Sequence, residues 1–92
     1  MRILMVEDEK ALCDAIARSL RHLDYSVDCC HSGQSAMDIL SFEHFDLVIL
    51  DLNLPDADGM AVLKTLRETD SETKVLILSA RGEVADRVAG LD

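Results

Sequence analysis

Four consecutive apolar residues, Leu47-Val48-Ile49-Leu50, run directly into a carboxylate, Asp51. A run this short, without alternation and flanked by polar residues, predicts a strand buried on both faces. An ionised carboxylate is costly to bury unless it is paired, metal-bound or reprotonated. Asp51 therefore belongs at the mouth of a sheet, where it needs partners.

Two similar runs flank this one. Ile3-Leu4-Met5-Val6 ends in Glu7-Asp8-Glu9, and Val75-Leu76-Ile77-Leu78 ends in Ser79. Tyr25 to Cys30 is a weaker strand. Between the strands the apolar residues change to helical spacing. Leu12, Ile16 and Leu20 predict a helix over roughly 8–22, with Lys10, Asp14, Arg18 and Arg21 on its outer face. Ala36, Ile39 and Leu40 predict a second over 34–42, with Ser32 as its N-cap. Val62, Leu63 and Leu66 predict a third over 59–68, and Val84, Val88 and Leu91 a fourth from Arg81 to Asp92. The order βαβαβαβα implies a doubly wound parallel sheet with right-handed crossovers and helices on both faces. In such sheets ligands sit beyond the carboxyl ends of the strands, where strand order reverses.

That rule gathers Glu7, Asp8, Asp51 and Ser79 above one edge of the sheet. Three carboxylates in one crevice repel one another, so a proton or a cation must neutralise them. Oxygen ligands and room for water favour Mg²⁺ over Ca²⁺. Asn53, two residues past Asp51, offers a backbone carbonyl. Acids at a helix start also serve as dipole partners, and Glu7-Asp8-Glu9 is open to that reading. Asp56 and Asp58 precede Gly59 and read as turn and N-cap residues.

Composition narrows the function further. The chain has 92 residues, 18 acids against 9 bases and a net charge of −9. That balance argues against direct binding of nucleic acid. The absence of a long apolar run or a signal peptide predicts a cytoplasmic protein with no membrane contact. Cys13, Cys29 and Cys30 are expected as reduced thiols, at least some of them buried. His22, His31 and His44 are expected to be isolated and solvent-facing. Met5, Met37 and Met60 are expected in or beside the core.

The acid pair Glu7-Asp8, Asp51 within Leu-Val-Ile-Leu-Asp-Leu-Asn-Leu-Pro-Asp-Ala-Asp-Gly, and the Leu-Ile-Leu-Ser-Ala-Arg ending of the fourth strand together resemble the receiver domain of bacterial response regulators. The opening Met-Arg-Ile-Leu-Met-Val-Glu-Asp-Glu and the closing Arg-Val-Ala-Gly-Leu-Asp most resemble the OmpR/PhoB-like winged-helix class. The resemblance implies a flavodoxin-like fold and a phosphorelay role, with Asp51 taking a phosphoryl group from a sensor histidine kinase. It implies Mg²⁺ held by Asp8, Asp51 and the Asn53 carbonyl, with Glu7 acting through water. It gives Ser79 the switch hydroxyl that binds a phosphoryl oxygen. Asn53 and Arg81 stand where the family tunes the lifetime of that group.

The family pattern has a fifth strand, with a lysine at its end, and a fifth helix, and residues 1–92 lack them. Lys10, Lys64 and Lys74 do not match the lysine position. On this reading the chain is an incomplete receiver whose apolar edge at 75–79 is covered by self-association, strand exchange or local rearrangement. DNA would be reached only through an output domain absent from these residues. Two other functions compete. An aspartate-nucleophile phosphatase needs a second acid two residues after the nucleophile, and Asn53 stands there. An interaction module not regulated by phosphorylation would have its acidic site degraded, and here the acids are intact.

Overall fold

The computed structural model of the chain describes residues 1–56, 59–70 and 72–78. Among these, the elements run β1 (Arg2–Val6), α1 (Lys10–His22), β2 (Ser26–Cys30), α2 (Gly33–Phe42), β3 (Leu47–Asp51), α3 (Gly59–Thr69) and β4 (Lys74–Leu78). The anticipated fourth helix, with Ala80, Arg81 and Arg87, lies outside the described residues, as do Asp58 and Ser79. No described helix is long and apolar enough to cross a membrane.

All strand pairs are parallel, in the order β2-β1-β3-β4. The unbroken apolar runs are explained by burial on both sides. Leu4, Val6, Val48, Leu50, Val75 and Ile77 pack with Ala36 of α2 and with Val62 and Leu66 of α3. Ile3, Met5, Val27 and Ile49 pack on the other face with Cys13 and Ala17 of α1. Each large aliphatic side chain buried this way contributes roughly 1.5–3 kcal/mol, so these two layers dominate the stability.

The buried stripe of α1 differs from the expected one. Cys13 and Ala17 are fully buried, Ile16 and Leu20 are packed beside them, and Leu12 is 41% exposed. Small side chains at the centre let the helix lie close to the sheet. The helix starts at Lys10 rather than residue 8. Met5 is core and Met37 packs against the core cluster on the opposite face of the sheet, but Met60 is 47% exposed, contrary to expectation. The three cysteines are free. Burial pushes the Cys13 and Cys30 thiols up to about 12, with neighbouring Cys29 adding to both. They behave as small hydrophobes rather than nucleophiles.

Ser32 caps α2 as expected, its Oγ accepting the Ser35 N–H at 3.1 Å. At the opposite end of the sheet from Asp51, Asp70 organises the turn into β4. Its carboxylate accepts the Thr73 hydroxyl at 2.8 Å, the Glu72 N–H at 3.0 Å and His44 Nδ1 at 2.7 Å. These bonds, Thr73 foremost, hold the carboxyl down from 3.8 to about 2. The stabilisation is complete above the unfolded value near 3.8 and is lost as pH falls through about 2. Asp70→Asn is therefore expected to reduce the drop in denaturation midpoint between about pH 4 and about pH 2, read by urea titration at each pH.

Candidate functional site

The first strand crossover leads from β1 to β2 on one side, and the next returns past β1 to β3 on the other. The connections thus diverge between β1 and β3, which opens a crevice at their carboxyl ends. Val6 is in register with Leu50. The next residues on these neighbouring strands are Glu7 and Asp51, which places both at the crevice.

Ligand oxygens of Glu7, Asp8 and Asp51 all lie within 4.8 Å of one another. They line an open cleft of about 520 Å³ together with Glu9, Leu12, Asn53 and Leu78. Of the residues expected at the site, Glu7, Asp8, Asp51 and Asn53 are brought together, and Ser79 lies outside the described residues. Leu12 joins the cleft wall because it faces the acids rather than the sheet.

The three carboxylates differ in environment. Asp8 is exposed and Asp51 half-buried, while Glu7 is 5% exposed, the only buried charged residue among those described. Glu7 Oε2 accepts the Glu9 N–H at 3.0 Å, so the carboxylate folds back over its own loop. Burial raises the Glu7 carboxyl above its ordinary range, the Asp51 charge adds repulsion, and side-chain hydrogen bonds with Asp8 and Asp51 raise it further, while the Glu9 N–H partly opposes them. The dipole-partner reading is therefore insufficient, since a capping acid would be exposed and lowered. Asp51 Oδ1 accepts the Asn53 N–H at 3.0 Å, which ties the following loop to the strand end.

The donor set is all oxygen, anionic and partly desolvated, and the cleft has room for water. These features fit a hard divalent cation that keeps part of its hydration. Neutralisation of three adjacent carboxylates would relieve the strain on Glu7.

Two further residues bear on the site, and the first corrects the sequence reading. His31 is half-buried rather than solvent-facing, with Nδ1 2.8 Å from the Glu7 carbonyl. A carbonyl only accepts, so Nδ1 carries the proton. Asp56, read as a turn residue, also reaches back to α2. Its Oδ1 accepts the Gly33 N–H at 2.8 Å and its Oδ2 the Gln34 N–H at 3.0 Å, both in the first turn of α2. These bonds hold its carboxyl below the ordinary range.

Comparison with known proteins agrees with this geometry. The family model for the response regulator receiver domain matches residues 3–92. The transcriptional regulatory protein PmrA of Pectobacterium parmentieri is 45% identical over all 92 residues, which cover 41% of its length. The response regulator MprA of Mycobacterium avium is 41% identical over the same span, covering 40% of its length. The chain thus spans about two fifths of these relatives. Among solved structures, the Francisella response regulator 1452 receiver domain superposes with a TM-score of 0.85 at 26% identity, over 98% of this chain and 74% of that one. The response regulator TrrA of Thermotoga maritima, in complex with Mg(2+)-BeF, gives 0.85 at 29% identity, over 90% of this chain and 72% of that one.

Proposed function

The chain belongs to the response regulator receiver family, and from that premise we propose that Asp51 is its phosphoryl acceptor, served by Mg²⁺ at Glu7, Asp8, Asp51 and Asn53. The observation that carries this reading is the acid trio, with ligand oxygens within 4.8 Å and Asp51 at the end of β3. The Mg²⁺ bound in the Thermotoga relative supports the choice of ion.

In this reading one Asp51 oxygen, Oδ1, is held by the Asn53 N–H, and the other attacks phosphorus. A P–O bond to Asp51 forms as the P–N bond of a phosphohistidine breaks. The imidazole leaves with the electron pair and takes up a proton. Phosphoryl transfer asks the protein chiefly for positioning and for charge stabilisation. When bound, Mg²⁺ would offset the repulsion between the anionic nucleophile and the anionic phosphoryl group. Asp51 supplies the nucleophile, Asp8 and the Asn53 carbonyl would hold the ion with it, and Glu7 would act on the ion through water. The hydroxyl of Ser79 is assigned to a phosphoryl oxygen. The domain is then a phosphoryl acceptor that assists its own modification and hydrolysis, rather than an enzyme with a separate substrate.

The donor is a sensor histidine kinase in the cytoplasm. The name of the 45% identical relative, a transcriptional regulatory protein, supports a DNA-binding output of the winged-helix class in the intact protein, and the net charge of −9 suits no DNA contact by these residues. Incubation of the intact protein with acetyl phosphate and Mg²⁺ is expected to add one phosphoryl group by mass. Asp51→Asn is expected to abolish the addition. Undiminished uptake in Asp51→Asn, or none in the wild type, overturns the assignment.

A further inference from the structure

We infer that residues 31–34, the link from β2 and the first two residues of α2, form a positioning device that fixes the spacing of the two loops bearing the cation ligands, through His31 on one side and Asp56 on the other. The inference rests on the proposed cation site and names residues that hold it without touching the ion.

One loop carries Glu7 and Asp8. The Glu7 N–H donates to the Cys30 carbonyl at 3.1 Å, and the Glu7 carbonyl accepts from His31 Nδ1 at 2.8 Å. Both backbone groups of Glu7 are thus held by consecutive residues at the end of β2. The other loop follows β3 and carries Asn53 and, three residues on, Asp56. Its near end is fixed by the bond from the Asn53 N–H to Asp51, and Leu52 and Leu54 are buried beneath it. Further along it is held by Asp56, which takes the N–H groups of Gly33 and Gln34. Ser32 takes the N–H of Ser35. Three first-turn N–H groups of α2 are therefore satisfied, two of them from a loop more than twenty residues away.

The arrangement is more than capping. α2 has no acidic residue in its own first turn, so its N-terminal dipole is left for Asp56 to meet. A carboxylate on two backbone N–H groups is a charge-assisted pair with defined geometry. The same turn reaches Glu7 through His31. Each loop is thus anchored to one rigid helix end rather than directly to the other. Release of either anchor lets the ligands move independently. Removal of such outer partners typically weakens metal binding by about 10–100-fold.

The test is Mg²⁺ affinity in the intact protein, followed by amide shifts in NMR titration. Asp56→Ala and His31→Ala are each expected to raise the Mg²⁺ Kd about tenfold. Asp56→Asn, which keeps one acceptor oxygen on the turn, is expected to fall between wild type and Asp56→Ala. It also serves as the measurement should Asp56→Ala unfold. The double variant is expected to lose less than the product of the single losses, because both act through one turn. Unchanged Mg²⁺ affinity in the single variants, with faster amide exchange at Gly33 and Gln34 after Asp56→Ala, reduces Asp56 to a helix cap and overturns the inference alone. A wild type that binds no Mg²⁺ overturns the inference and the proposed cation site together.

Discussion

Gly59→Ala is expected to destabilise the fold by about 1–3 kcal/mol or more and to impair phosphoryl uptake at Asp51. Gly59 opens α3 and is buried where that helix crosses the end of β3. A Cβ there would lie 2.6 Å from the Leu52 Cα, 2.8 Å from the Asp51 carbonyl oxygen and 3.1 Å from Leu52 Cδ2. The two closest atoms are backbone, so no rotamer change relieves the clash. The Gly59 N–H also donates to the Leu52 carbonyl at 3.3 Å, which marks how closely the chains approach. Two relaxations remain. Either α3 lifts and loosens Val62 and Leu66, or the backbone at 51–52 shifts and moves the proposed acceptor. A urea midpoint reports the first and the acetyl phosphate mass assay reports the second. An unchanged midpoint together with normal uptake would mean that the loop yields at no cost and that the close approach has no role.

The strands and the acid trio were legible because both are carried by local runs. Each of Leu47-Val48-Ile49-Leu50 and Ile3-Leu4-Met5-Val6 announces two-sided burial by lacking alternation, and each delivers its acids at its end. The α1 stripe was misplaced because Leu12 outweighs Cys13 and Ala17 in hydrophobicity. Contact distance, which favours the smaller residues, is not written in hydropathy. His31 escaped notice because its partner is a backbone carbonyl, which every residue has. The reach of Asp56 to α2 escaped notice for a related reason. A turn Asp shortly before a helix points forward along the chain, yet the helix it meets is the preceding one. One clue was available: α2 opens with Gly33-Gln34-Ser35 and no acid, leaving its dipole to be met from elsewhere.

Mg²⁺ is expected to stabilise the chain, and Asp8→Asn is expected both to stabilise the cation-free chain and to remove that response. At a free concentration about one hundred times Kd, binding to the folded state adds about 2.7 kcal/mol. For a domain of this size that corresponds to a rise in Tm of roughly 10–20 °C. The opposite sign in the absence of cation follows from the trio itself. Unit charges at the 4.8 Å limit of this cluster repel by about 1–3 kcal/mol between water-like and protein-like dielectrics. Glu7, already raised by burial, feels that repulsion from Asp51, and Asp8 adds a third carboxylate to the same cluster. Asp8→Asn removes one charge and keeps the side chain's size, so the cation-free fold gains stability. It also removes an anionic ligand, so the rise on adding Mg²⁺ shrinks or disappears. Melting curves of both proteins with EDTA and with Mg²⁺ should therefore cross: the variant melts higher without cation, the wild type higher with it. Parallel shifts in both proteins would show that Mg²⁺ acts elsewhere. A variant less stable than wild type in EDTA would show that Asp8 is held by contacts that outweigh the repulsion.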